Sequence, residues 1–117
     1  MDYDRYTVKE EKNKNGPKGE VKIYGFLQKK SKYIHLWKTR FFILTNHYLF
    51  AFTGIENDAD CTMALDLSTV INVEETESKK ESKKGLVIRT ISNNYFLRAD
   101  QYVVNKWIKE IRKAMDD

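Results

Sequence analysis

From Val21 onward the chain alternates apolar and polar positions with a period of two. Ile23, Gly25 and Leu27 fall on one side, with Tyr24, Phe26 and Gln28 on the other. That alternation predicts a strand ending at Lys29. Residues 30–36 (KSKYIHL) read as a loop, and Trp37 to Thr45 as a second strand rich in aromatic and β-branched residues. A tight turn at Thr45-Asn46-His47 leads into a third strand, Tyr48 to Phe52, followed by an acidic loop, Gly54 to Asp60. Short strands are expected near Thr62–Asp66, Val70–Glu74, Gly85–Ile91 and Tyr95–Ala99, the last two around an Asn93-Asn94 turn that tolerates left-handed backbone. The polar stretch Glu75 to Lys84 separates the fifth from the sixth; its Lys79, Lys80, Lys83 and Lys84 are balanced by Glu74, Glu75, Glu77 and Glu81 and read as a solvated loop.

The last segment changes period. Val104, Trp107, Ile108, Ile111 and Met115 stand at i, i+3, i+4, i+7 and i+11, which is the apolar stripe of an amphipathic helix. Asp100 is the expected N-cap, and Lys106, Lys109, Arg112 and Lys113 mark the outer face. Trp37 and Trp107 read as core residues. Seven short strands and one C-terminal helix predict a mainly β fold. Its antiparallel strands close or sandwich to hide their edges, and the helix covers one open end. Residues 1–19 carry few apolar side chains and a Gly16-Pro17 break, so they read as a flexible N-terminal leader to a domain at 20–117. Tyr3, Tyr6 and Val8 are its only candidates for docking on the body.

Composition narrows the class. At 117 residues the chain makes one domain, and 13% aromatic content marks it as ordered. Cys61 is the only cysteine, which excludes an internal disulfide or a Cys-based metal site and suits a reducing, cytoplasmic setting. No apolar run approaches the length of a membrane span. His35 and His47 lack metal-ligand spacing, and no nucleophile, phosphate-loop or metalloprotease motif occurs. The expectation is therefore a binding module with no catalytic residue, metal or cofactor.

Charge supplies the candidate chemistry. Residues 25–40 hold Lys29, Lys30, Lys32, Lys38 and Arg40 and no acid, while the whole chain carries only +4. The remainder is close to neutral, so this hairpin is an anion-binding footprint. Lys29 shares parity with Gly25 and Leu27, and Lys38 and Arg40 share parity with Phe42 and Leu44. Cations on a core-facing parity are costly unless they stay solvated or paired. Strand ends at an open barrel mouth meet that condition and bring the three cations to one spot. Arg40 can grip a phosphate through two donors, with the lysines as point charges. Lys30, Lys32 and His35 add attraction to an anionic surface. Tyr33, Ile34 and Leu36 form an apolar group at the loop tip that could enter a lipid interface.

The order of these features resembles the pleckstrin-homology (PH) family. The resemblance rests on Gly25-Phe26-Leu27 with Lys29 four places after the glycine, on Trp37-Lys38-Thr39-Arg40-Phe41-Phe42-Ile43-Leu44, and on Trp107 in KWIKEIRKAM. It implies two nearly orthogonal antiparallel sheets, seven strands in all, forming a barrel capped by the C-terminal α-helix. It also implies headgroup binding through Lys29, Lys38 and Arg40. The aromatic-rich FFIL and the WIK of the helix are similar to the cytohesin-like group. In that group a tyrosine hydroxyl meets phosphate about where this chain has Phe50, and an extra arginine is expected near Cys61 to Met63.

Two function classes follow. The first is a membrane-recruitment module that binds an anionic phospholipid headgroup, a phosphoinositide or phosphatidic acid, at the mouth of the first hairpin. It would act as a monomeric, peripheral membrane protein in signalling. The second is a protein-interaction (adaptor) module whose basic hairpin docks an acidic partner. Nucleic acid is not an expected partner, because the aromatics fall mainly at core parity and build no stacking platform.

Overall fold

A computed structural model describes residues 19–77 and 83–116. Seven strands follow one another: β1 (Val21–Lys30), β2 (Trp37–Thr45), β3 (Tyr48–Phe52), β4 (Cys61–Asp66), β5 (Val70–Thr76), β6 (Lys84–Thr90) and β7 (Asn94–Ala99). The helix α1 (Gln101–Met115) ends the fold. These bounds agree with the periodicity to within two residues.

All strand pairs are antiparallel, in the order β4-β3-β2-β1-β7-β6-β5. The two expected sheets are a four-stranded meander, β1–β4, and a three-stranded one, β5–β7. They join into one hydrogen-bonded order through a short bridge in which Gln28 faces Arg98 and Lys29 faces Leu97. Register shifts at Val21/Ile23, Ala51/Phe52 and Val70/Asn72 bend and twist the strands.

Parity sorts the side chains. Leu27, Phe42, Leu44, Leu49, Leu65, Val73, Leu86, Ile88 and Leu97 meet Val104, Trp107, Ile108 and Ile111 of the helix in the main core. Trp107 is 2% exposed and meets the Phe42 ring edge-on at 6.3 Å. The helix is also tied by a polar clasp. Arg112, expected on the outer face, turns back and donates from Nε (3.1 Å) and Nη2 (2.7 Å) to the Val73 carbonyl of β5.

Two expectations change. Asp100 occupies the N-cap position but makes no side-chain cap hydrogen bond; its carboxylate pairs with Lys83 at 3.8 Å. Trp37, read as a core residue like Trp107, lies opposite Lys30 on the outer face and is only half-buried. The Arg98 guanidinium sits over its ring at 4.2 Å, a cation–π contact that replaces core packing.

Two loops set up the mouth of the barrel. In the β1–β2 loop, Ser31 N donates to Leu36 O at 2.7 Å, and Leu36 N donates to Ser31 Oγ at 3.1 Å. The closure forces His35 to φ 57°, in the left-handed region. In the β6–β7 turn, Thr90 N and Oγ1 both donate to Asn93 O, at 2.9 and 2.8 Å. Asn93 N returns a bond to Thr90 Oγ1 at 2.9 Å.

Trp107→Ala should lower unfolding free energy by about 3–5 kcal/mol, read from urea denaturation. His35→Gly should be neutral or raise the melting temperature slightly, because glycine adopts positive φ without a Cβ penalty. His35→Val should lower it.

Candidate functional site

The β1–β2 register decides which cations meet. Lys29 lies directly opposite Lys38, and Leu27 opposite Arg40. Directly opposed residues of an antiparallel pair share a face with Cα atoms about 4.5–5.5 Å apart. Lys29, Lys38 and Arg40 therefore stand together on the helix-facing side of the sheet, where it opens to solvent. The apolar lining ends at Leu27 and Phe42 one step below. None of the three cations is in an ion pair among the described residues.

Lys29 is the electrostatic centre. It is partly buried, and desolvation together with the neighbouring Arg40 guanidinium holds its pKa below the ordinary 10.5. Both causes disfavour a second positive charge in a confined place, and a bound anion would remove that cost. Its Nζ also sits 5.8 Å from the Tyr95 ring centroid. Arg40 uses Nη1 to donate to Thr39 O at 3.2 Å, which leaves other guanidinium donors available.

A concavity of about 580 Å³ lies on the β7 side of Lys29. One wall is Lys29, Lys30, Ser31, Lys32 and His35; the other is the β6–β7 turn, Thr90 to Phe96. Lys32 Nζ spans the two walls to Asn93 Oδ1 at 3.2 Å. Lys38 and Arg40 flank Lys29 from the opposite side, on β2, and do not line this concavity. Lys29 is shared between the two groups. The turn's hydroxyl and amide groups at Thr90, Ser92, Asn93 and Asn94 are absent from the sequence-derived site. Asn93-Asn94 is legible only as a turn, and its place beside the mouth depends on the β1–β7 bridge, formed across some 70 residues.

A smaller concavity, about 340 Å³, opens on the outer face around Lys30, Trp37, Glu77 and Arg98. Arg98 there is already held by Gln28 Oε1 at 2.8 Å, and Glu77 brings a negative charge. The concavity beside Lys29 has no acid among its lining residues.

Other residues singled out in the sequence fall as follows. Tyr33, Ile34 and Leu36 are 83%, 59% and 56% exposed, and Ile91 on the facing turn is 85% exposed. Lys30 Nζ lies over the Phe96 ring at 5.9 Å. Phe50, placed beside a phosphate by the resemblance, faces away from the mouth. It is buried on the outer side of β3 and stacked on Tyr48 at 5.6 Å. A hydroxyl there would point into apolar packing. In the β3–β4 loop, Thr53 N donates to Asp60 O at 2.9 Å, and no acid of this loop lines the large concavity. Lys84 pairs with Glu75 at 3.5 Å, and Lys79 and Lys80 lie outside the described residues.

Among the described residues no cluster of His, Cys, Asp and Glu could hold a metal ion, and no helix is long and apolar enough to cross a membrane.

The family model for the PH domain matches residues 21–116. No curated protein sequence matches. The C-terminal PH domain of pleckstrin, solved in complex with D-myo-Ins(1,2,3,5,6)P5, is 30% identical. It superposes with a TM-score of 0.71 over 85% of this chain and 99% of that one. The Slm1 PH domain in complex with phosphoserine is 23% identical, with a TM-score of 0.65 over 83% of this chain and 97% of that one. Vav1 in an inhibited form is 18% identical, with a TM-score of 0.73 over 96% of this chain and 33% of that one. With the family model running from the first strand to the end of the helix, and the fold shared with nearly the whole of that pleckstrin domain, this chain belongs to the PH domain family.

Proposed function

We propose that this domain binds the phosphorylated headgroup of an anionic phospholipid at the β1–β2 mouth and so recruits its parent protein to a membrane surface. The observation that carries the reading is Lys29. It is a partly buried cation beside Arg40 and opposite Lys38, with no acid paired to any of them among the described residues, at the edge of a concavity of about 580 Å³. Burial first, and the Arg40 guanidinium second, hold the Lys29 pKa down, and a phosphate held there offsets both.

Lys29, Lys38 and Arg40 take the headgroup phosphates in this reading. Lys32 and His35 reach the same ligand from the concavity side, with Ser92, Asn93 and Asn94 as neutral hydrogen-bonding partners. Lys30 supplies long-range attraction, on the order of 1 kcal/mol near an anionic leaflet. Tyr33 and Ile34 at the loop tip contact the lipid interface. Ile91 on the facing turn extends that apolar rim across the concavity.

A phosphoinositide is the favoured ligand, since the site offers cations on both sides of Lys29 for more than one phosphate. The inositol phosphate bound by the 30% identical pleckstrin domain supports that chemistry. Phosphatidic acid, with its single phosphomonoester, is the competitor that the headgroup series below separates. The cytohesin-like flavour rests on the FFIL and WIK segments alone, and the likeness to pleckstrin, Slm1 and Vav1 lends it no support. The adaptor reading predicts capture by an acidic protein surface without liposome binding. The domain is expected to act as a monomer in the cytoplasm, peripheral to the membrane.

Each charge-assisted contact is worth roughly 1.5–3 kcal/mol, so Arg40→Ala should weaken headgroup binding about ten- to a hundredfold. Co-sedimentation with liposomes carrying a phosphoinositide, phosphatidic acid or phosphatidylserine reads this. Equal sedimentation of Lys29→Ala/Arg40→Ala and the unsubstituted domain would sink the proposal. A pH dependence follows as well. Only protonated Lys29 attracts the phosphate, so affinity is full below the pKa of the free domain and falls as pH rises through it. Because that pKa lies below 10.5, the loss should begin earlier than for an exposed lysine. Lys29→Arg should keep affinity flat across the same alkaline range.

A further inference from the structure

The β6–β7 turn carries a hydroxyl that the fold does not use. Thr90 is 8% exposed, and its hydroxyl is tied to Asn93 in both directions. Ser31 Oγ, on the facing loop, accepts from Leu36 N and holds that loop closed. Ser92 is exposed at the tip of the turn, and its hydroxyl takes no part in these bonds. It lines the concavity of about 580 Å³ whose other wall carries Lys29, Lys30 and Lys32. Lys32 Nζ already reaches across to the neighbouring residue, donating to Asn93 Oδ1 at 3.2 Å. No carboxylate lines this concavity.

We infer that Ser92 is a phosphorylation site, and that its phosphate, seated between Lys32 and Lys29, excludes the lipid headgroup from the mouth. The exclusion rests on the headgroup reading; the modification and the seat of the phosphate rest on the turn and the facing lysines alone. In the transfer, Ser92 Oγ attacks the γ-phosphorus of a nucleoside triphosphate. An Oγ–P bond forms, the bond from that phosphorus to the bridging oxygen breaks, and a nucleoside diphosphate leaves. The hydroxyl proton passes to a base of the protein kinase that catalyses the step. At neutral pH the new group carries about −1.5 to −2 charges and three strong acceptor oxygens.

Sequence supplies the recognition. Arg89 stands three residues before Ser92 in Arg89-Thr90-Ile91-Ser92, a charge pattern that the acidic substrate cleft of a kinase can read. Arg89 Nε is paired with Glu74 Oε1 at 2.9 Å, but the two side chains are 40% and 47% exposed. A pair that open to water holds weakly and can be exchanged for another carboxylate. The turn supplies the access. Ile91 is 85% exposed, and the β6–β7 ladder ends at the Arg89–Asn94 pair. Local opening of residues 90–93 therefore presents the serine in extended form at the cost of the Thr90–Asn93 hydrogen bonds, with that ladder intact. The concavity supplies the consequence. A phosphate tethered to its wall meets the facing lysines at the high effective concentration of an intramolecular ligand, while a headgroup must arrive from outside.

The test uses the full 117-residue chain. A kinase that selects arginine at this offset, supplied with Mg²⁺ and ATP, should place phosphate on Ser92, mapped by tandem mass spectrometry. Arg89→Ala should slow that transfer roughly tenfold or more. Phosphate found only on other hydroxyls overturns the site. The seat is read by phosphorus NMR on a chain with phosphoserine incorporated at position 92 during translation. Its second ionisation should fall at lower pH in the folded chain than in urea, because nearby cations favour the dianion. Lys32→Ala should remove part of that difference. Equal titration in the two states overturns the seat. The same phosphorylated chain should sediment with phosphoinositide liposomes roughly tenfold or more weakly than the unmodified chain. Phosphoserine at the exposed Ser68, which does not line the concavity, should cost far less. Undiminished binding, or equal losses at the two positions, overturns the exclusion. An unmodified chain that leaves the liposomes unbound overturns the headgroup reading and the exclusion with it, while the mass and phosphorus measurements still decide the site and the seat.

Discussion

The antiparallel register of β1 against β2 is the constraint on which the rest depends. With Gly25 opposite Phe42 and Ile23 opposite Leu44, the apolar parity of both strands meets the helix. The same alignment carries Lys29, Lys38 and Arg40 onto that face at the end where apolar lining stops. A slip of one residue would send Phe42 and Leu44 to the outside and scatter the cations over both faces. Core and candidate site are therefore specified by one set of backbone hydrogen bonds. The Trp107–Phe42 contact and the Arg112 clasp to Val73 hold the helix against that register.

Placing cations on a core-facing parity costs free energy, and Lys29 bears most of that cost. Partial burial and Arg40 together depress its pKa, and no carboxylate among the described residues offsets them. Several cations elsewhere are paired: Lys83 with Asp100, Lys84 with Glu75, Arg89 with Glu74. The contrast gives the mouth its character. At the mouth Lys29, Lys38 and Arg40 stand together with no ion pair among the described residues.

Much of this was legible in the sequence because it is local. Strand periods, the helical stripe ending in Met115 and the basic hairpin are short-range patterns, and the structure reproduces their bounds closely. What escaped depends on contacts distant in sequence. The β6–β7 turn reaches the mouth only through Gln28–Arg98 and Lys29–Leu97 pairing. Trp37 shares the parity of Phe41 and Ile43, which sends it to the outer face, where Arg98, brought by the same bridge, covers its ring. Asp100 fills the cap position, but Lys83 competes for its carboxylate. Phe50 was assigned to the mouth by resemblance, whereas its parity sends it to the outer face. The doubly apolar pattern of Phe41–Leu44 and Leu49–Phe52 was present in the sequence as a sign of burial on both sides, and it takes its meaning from the described burial of the outer face.

The central claim is that the Lys29 mouth is an anion-binding site. The most direct test is a titration of the domain with a soluble inositol phosphate headgroup, followed by amide NMR shifts. The account predicts saturable shifts concentrated at Lys29 to His35, Lys38 to Arg40 and Thr90 to Asn94, with the α1 amides unmoved. Shifts that fail to saturate, or that centre on the helix or the outer face around Glu77 and Arg98, would contradict it.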